Sequence, residues 1–131
     1  MGQPHKRVLG IGGIFFTCQD PEALKAWYRT HLGMETDAYG VLFRSENDPP
    51  GTSILQWSPF PADTTYFAPS DKPFMINYRV ADLVALVDAL RAGGGQILDE
   101  IETYEYGKFV HILDPENNKI ELWEPVSGVL G

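Results

Sequence analysis

Asp114-Pro115-Glu116-Asn117-Asn118-Lys119-Ile120-Glu121-Leu122-Trp123-Glu124-Pro125 reads as a turn feeding a strand. Pro115 presets φ at the second turn position, and asparagine tolerates left-handed backbone angles, so 114–118 is a hairpin loop. The run before it, Lys108-Phe109-Val110-His111-Ile112-Leu113, supplies the other arm. After the loop, polarity alternates, which puts Ile120 and Leu122 on one face and Glu121 and Trp123 on the other. A carboxylate beside an indole on the less apolar face of a strand marks a candidate site. The plainer reading is a solvated rim, where glutamate is most often found.

The elements upstream follow a fixed order. Phe74–Val80 has strand composition, and Asp82 then caps a helix whose stripe is Leu83, Leu86, Val87 and Leu90. Gly93-Gly94-Gly95 ends that helix, and Ile97–Glu105 is an acidic strand or strand-like edge carrying Tyr104. The first half has the same order. Val8–Thr17 is an apolar strand loosened by Gly10, Gly12 and Gly13. Asp20-Pro21-Glu22 starts a helix with an N-cap, a first-turn proline and a first-turn acid. Leu24, Trp27, Tyr28, His31 and Leu32 share one face, His31 is a helix-end residue favoured by the dipole, and Gly33 suits the left-handed cap. Strands over Tyr39–Arg44 and Thr52–Trp57 flank a turn at Ser45–Gly51. Ser58–Pro73, with four prolines plus Tyr66 and Phe67, is an ordered aperiodic connector.

Asp20 and Asp82, Ala23 and Ala85, Leu24 and Leu86, Arg29 and Arg91, and Gly33 and Gly95 recur at one constant offset. The order strand, capped helix, glycine stop and three strands predicts an α+β fold of two βαβββ modules, 1–66 and 67–131, within a single domain. Neither module can bury its sheet face alone, so they are expected to share one curved mixed sheet with the helices outside.

Composition narrows the function classes. The 131 residues carry a net charge of −8, with no basic stripe, so nucleic acid and anionic membranes are poor partners. No apolar run reaches the ~18 residues of a membrane span, and the glycine-interrupted N-terminal stretch does not read as a signal peptide. Cys18 is the single cysteine, so no internal disulfide forms. A cytoplasmic location is expected, with Cys18 a packed small residue.

These residues resemble the vicinal oxygen chelate superfamily, which includes glyoxalase I, bleomycin-resistance proteins and extradiol dioxygenases. The resemblance is carried by Gly12-Gly13-Ile14-Phe15-Phe16, by Asp20 through Tyr28 with Leu32-Gly33-Met34, by Asn77 through Leu83, and by Asp114 through Pro125. It covers nearly the whole chain. It implies the βαβββ pair, frequent homodimers and a small-molecule site in the sheet cavity, but no single reaction. The four metal-ligand positions of the family correspond to Gly13, Gln56 (or Trp57 on a one-residue slip), Met75 and Glu121. Glycine has no ligand atom and a thioether is too soft for hard divalent ions. A divalent metal is therefore disfavoured, and no other cofactor is expected.

Alternation from the matched positions turns Ile11, Gly13, Phe15, Met75, Asn77, Arg79, Glu121 and Trp123 inward, and Ile14, Phe16, Ile76, Tyr78, Val80, Ile120 and Leu122 toward the helices. The expected site is Glu121 as the candidate catalytic residue, with Phe15, Gln56, Trp57, Met75, Asn77, Arg79, Tyr104, His111 and Trp123 around the ligand. Burial is expected to raise the pKa of Glu121 unless a cation pairs with it, Arg79 being the candidate. The function implied is metal-independent binding of a small, partly aromatic molecule, with acidic groups favouring cationic or hydrogen-bond-donating ligands. The alternatives are a lyase or dioxygenase-type enzyme using Glu121 as base or ligand, and an interaction module whose site has been lost.

Overall fold

The computed structural model describes residues 7–44 and 54–126, so the turn expected over Ser45–Gly51 lies outside the described residues. The elements are β1 (Val8–Cys18), α1 (Pro21–Leu32), β2 (Val41–Arg44), β3 (Ile54–Pro61), β4 (Phe74–Val80), α2 (Leu83–Ala92), β5 (Gln96–Ile97), β6 (Glu102–Tyr104), β7 (Gly107–Leu113) and β8 (Lys119–Pro125). They form the expected α+β fold, a curved mixed sheet ordered β2-β3-β1-β4-β8-β7-β5, with β6 also on β7.

Both helices start where local chemistry says they should. Asp20 and Asp82 accept the main-chain N–H of Ala23 and Ala85, at 3.0 and 3.1 Å. Gly33 closes α1 at φ 68°. The β7–β8 loop also follows its sequence: Asn117 sits at φ 65°, and Asp114 Oδ1 accepts the N–H groups of Glu116 and Asn118.

α2 packs Leu83, Leu86 and Val87 onto Val80, Val110 and Leu122, with Tyr78, Ile112 and Ile120 at the margin. Each such side chain fully buried contributes roughly 1.5–3 kcal/mol. This cluster occupies the helix side of β4, β7 and β8. The alternate residues Asn77, Phe109, His111, Glu121 and Trp123 therefore face the other side of the sheet.

The first half departs from expectation after its helix. Two strands follow α1 among the described residues, not three. The segment 33–40 is a loop, and its Asp37 and Ala38 carbonyls accept the buried Lys25 ammonium at 3.1 and 3.2 Å rather than ladder N–H groups. Lys25 thus takes the inner face of α1, leaving Trp27 51% and Leu32 59% exposed. β3 runs through Pro59 and Pro61, beyond the strand expected. β2 pairs with β3 only as far as Trp57, so these prolines lie where one side of β3 is an edge.

β1 carries a register shift between Ile11 and Gly13. A Cβ on Gly12 would strike Asn77 Oδ1, and one on Gly13 would strike the Phe15 ring, so both glycines face inward in succession. The bulge turns Ile11 outward, where it is exposed, against the expectation that it faces the cavity.

Candidate functional site

The inner face of the sheet encloses a cavity of about 690 Å³. Its size lies within the range of small-molecule sites. Glu121, Asn77, His111, Trp123, Phe15 and Gln56 line it, and Tyr104 stands at its mouth, 45% exposed. Three expected residues do not line it. Trp57 lies on the helix side, packed against Phe16 and Tyr28 with centroids 5.4 and 4.8 Å away; the β1–β3 register gives the inward place to Gln56. Met75 is wholly buried between Phe15 and Phe67 as core. Arg79 is buried behind Gly10 and Gly12, whose missing side chains make room for it.

Glu121 is 3% exposed on β8. Asn77, its register partner on β4, donates to Oε1 at 2.7 Å. Tyr66 donates to Oε2 at 2.5 Å, and His111 Nε2, from the facing position on β7, lies 2.8 Å from the same oxygen. His111 Nδ1 lies 2.6 Å from Asp99 Oδ2. With both carboxylates ionised, each imidazole nitrogen must carry a proton. The chain Asp99–His111–Glu121 is then carboxylate, imidazolium, carboxylate, with a net charge of one negative.

Burial pushes the pKa of Glu121 up, as expected, but the hydrogen bonds from His111, Tyr66 and Asn77 and the charge of His111 outweigh it, and it ends below the ordinary value. The cation that reaches Glu121 is His111, not the expected Arg79. Burial disfavours the imidazolium, yet hydrogen bonds to Glu121 and Asp99 raise the His111 pKa above the ordinary value. Burial and the Glu121 charge raise Tyr66, so its phenol stays a donor.

Tyr66 and Asp99 were not anticipated in the sequence. Tyr66 sits on the connector between β3 and β4, whose periodicity gives no face. Phe67 beside it is buried against Phe15 and Met75 and holds the connector over the cavity. Asp99 sits in the gap between β5 and β6, two short strands that pair with one edge of β7. There its Oδ1 accepts the main-chain N–H of His111 at 2.7 Å, in place of a ladder carbonyl.

The walls are aromatic. Phe109 and Trp123 stack at 5.7 Å, Phe60 and Tyr66 at 5.7 Å, and Tyr104 and Tyr106 at 5.5 Å, each pair within 11° of parallel. Trp123 Nε1 donates to the Tyr106 carbonyl at 2.9 Å, which satisfies the indole and ties β8 to the mouth.

The donor set does not fit a divalent ion. Gly13 offers no atom, Met75 is core, and both Glu121 oxygens already accept hydrogen bonds. Among the described residues no group of three or more His, Cys, Asp or Glu is placed to hold a metal.

The family model for the glyoxalase/bleomycin resistance protein/dioxygenase superfamily matches residues 10–122. No curated protein matches the chain. Among solved structures, methylmalonyl-CoA epimerase from Mycobacterium tuberculosis is similar at 20% identity and a TM-score of 0.63, over 95% of this chain and 93% of that one. A variant of the Streptomyces coelicolor methylmalonyl-CoA epimerase in complex with 2-nitronate-propionyl-CoA is similar at 17% identity and a TM-score of 0.68, over 92% and 99%. The Mn(II)-bound glyoxalase from Novosphingobium aromaticivorans is similar at 19% identity and a TM-score of 0.59, over 90% of this chain and 39% of that one. At these identities the likeness speaks for the fold alone, while the family match spans most of the sequence: the chain belongs to the glyoxalase/bleomycin resistance protein/dioxygenase superfamily.

Proposed function

We propose that the protein binds a small, partly aromatic molecule in the sheet cavity without a metal ion. One observation carries this reading: three stacked ring pairs wall a cavity of about 690 Å³ over a hydrogen-bonded acidic floor. Aromatic faces give planar ligands contact area at small entropic cost. The epimerases similar in fold are named for a CoA ester; this cavity has no lysine or arginine among its described lining residues to meet an acyl carboxylate or phosphate. A thermal-shift screen of planar aromatic fragments, with and without chelator, tests the reading. Saturable, chelator-insensitive stabilisation is expected; an absence of hits, or hits abolished by chelator, contradicts it.

A second reading, a lyase or dioxygenase-type enzyme using Glu121 as base, draws on the Asp99–His111–Glu121 chain. It stands second because three donors and a lowered pKa make Glu121 a weak base. Deuterium exchange into a bound ligand's C–H, lost in Glu121→Gln, would put it first.

The reading also takes the chain to be a cytoplasmic homodimer with no nucleic-acid or membrane partner. The exposed apolar residues Ile11 and Ile14 on β1 and Trp27 and Leu32 on α1 support pairing with a second copy. The net charge of −8 supports the absence of nucleic acid. No helix among the described residues is long and apolar enough to cross a membrane.

A further inference from the structure

We infer that the ligand is an aromatic amine carrying a positive charge, its rings held among the deep aromatic pairs and its ammonium at the mouth beside Glu102, Tyr104 and Tyr106. This rests on the binding reading above and adds the charge of the ligand and its direction of entry.

The charge of the lining favours a cation. Its carboxylates are Glu102 and Glu121, and its one basic side chain among the described residues is His111. His111 is held between Asp99 and Glu121, so its charge is already spent on those two carboxylates. Lys119 lies over the Tyr66 ring with its Nζ 5.1 Å from the centroid and bonds the Tyr66 carbonyl. It is not a lining residue. Among the described lining residues, a carboxylate or phosphate ligand would meet negative charge without a free cation.

The accessible acceptor for an incoming cation lies at the mouth. The Glu121 carboxylate takes hydrogen bonds from Asn77, Tyr66 and His111. Two of these donors share Oε2, and the residue is 3% exposed, so the acceptor site left on Oε1 is closed in at the floor of the cavity. Glu102 accepts the Tyr104 hydroxyl at 2.7 Å and faces the mouth. The open anion is therefore at the entrance, not at the floor.

The rings are graded from the floor of the cavity to its mouth. Phe109 stacks on buried Trp123, and both Tyr104 and Tyr106 meet the edge of Phe109, at 6.0 and 5.6 Å. These two tyrosines are 45% and 44% exposed and stack 11° from parallel. The deep rings offer apolar faces to a planar scaffold. The outer tyrosines offer electron-rich faces to a cation beside a carboxylate, the arrangement that favours ammonium groups. An ammonium left at the mouth keeps part of its hydration, so the deep cavity is never asked to desolvate a charge.

Three probes that share one ring system and differ in charge test this by calorimetry: tryptamine (cation), tryptophol (neutral) and indole-3-acetate (anion). Tryptamine is expected to bind about tenfold more tightly than tryptophol, with indole-3-acetate weakest. Glu102→Gln, at an exposed position, is expected to bring tryptamine within about threefold of tryptophol. Equal binding of tryptamine and tryptophol, or an unchanged gap in Glu102→Gln, overturns the inference while leaving aromatic binding intact. Failure of all three probes at about millimolar concentration also overturns it. The aromatic fragment screen then separates the two readings: hits there mean that only the charge assignment has failed, and none means that the binding reading has failed with it.

Discussion

Asp99 holds His111 by two atoms at once, its Oδ1 accepting the main-chain N–H at 2.7 Å and its Oδ2 standing 2.6 Å from Nδ1. The second contact selects the ring's protonation. With Nδ1–H directed at Asp99, Nε2 presents a proton to Glu121 only as the imidazolium. Asp99 is therefore a positioning residue for the floor of the cavity.

Replacing Asp99 with Asn keeps the size of the side chain and removes the charge. The His111 pKa is expected to fall relative to the wild type, because one of the two carboxylates that raise it is gone. Stability should drop by about 1–2 kcal/mol, a modest figure because Asp99 is partly exposed. A proton NMR titration of the His111 ring reads the first and urea denaturation the second; an unmoved His111 titration contradicts the assignment.

Glu121→Gln leaves the His111 cation with one carboxylate and replaces an acceptor oxygen by an amide donor facing Asn77, Tyr66 or His111. A loss of about 2–4 kcal/mol is expected in urea denaturation, less than for a stranded guanidinium because the imidazole can deprotonate. Unchanged stability would mean that Glu121 is solvated.

Tyr66→Phe preserves the stack with Phe60 and removes one of the donors that lower the Glu121 pKa. The Glu121 pKa should rise relative to the wild type, and stability should fall by about 1 kcal/mol. Carboxylate-resolved NMR titration checks the direction; a lower Glu121 pKa in the variant contradicts the hydrogen-bond assignment.

The network fixes a sign for the pH dependence. Glu121 has a lowered pKa, so its contribution is present above the unfolded carboxylate value near ~4.3 and is lost as pH falls through the folded value. His111 has a raised pKa, so its contribution is complete below the unfolded value near ~6.5 and is lost as pH rises through the folded value. Both act together between about 4.3 and 6.5. The melting-temperature difference between wild type and Glu121→Gln should therefore be greatest in that window and shrink on either side. A difference independent of pH would show that the pair contributes by packing alone.

What the sequence disclosed tracks how local the determining chemistry is. Asp20, Asp82, Gly33 and Asn117 were readable because a cap or a left-handed turn is decided within four residues. Glu121, His111, Asn77 and Trp123 share a face because strand alternation carries unbroken from the 114–118 turn and across β4. Alternation failed at Ile11, where the β1 bulge shifts the count by one. It could not choose between Gln56 and Trp57, since a single step of register swaps the cavity for the underside of α1. Tyr66 and Asp99 were illegible for another reason. Each lies in aperiodic chain and gains its role from a partner distant in sequence.

The most direct test of the central claim is calorimetric titration of the best aromatic hit into protein stripped of metal by chelator and verified by elemental analysis. The account predicts one site per chain, an affinity unchanged when Zn²⁺, Mn²⁺ or Ni²⁺ is returned, and weaker binding in Trp123→Ala, where the Phe109 stack is lost. Binding that appears only after a divalent ion is restored, with Glu121 required for that ion, would contradict it.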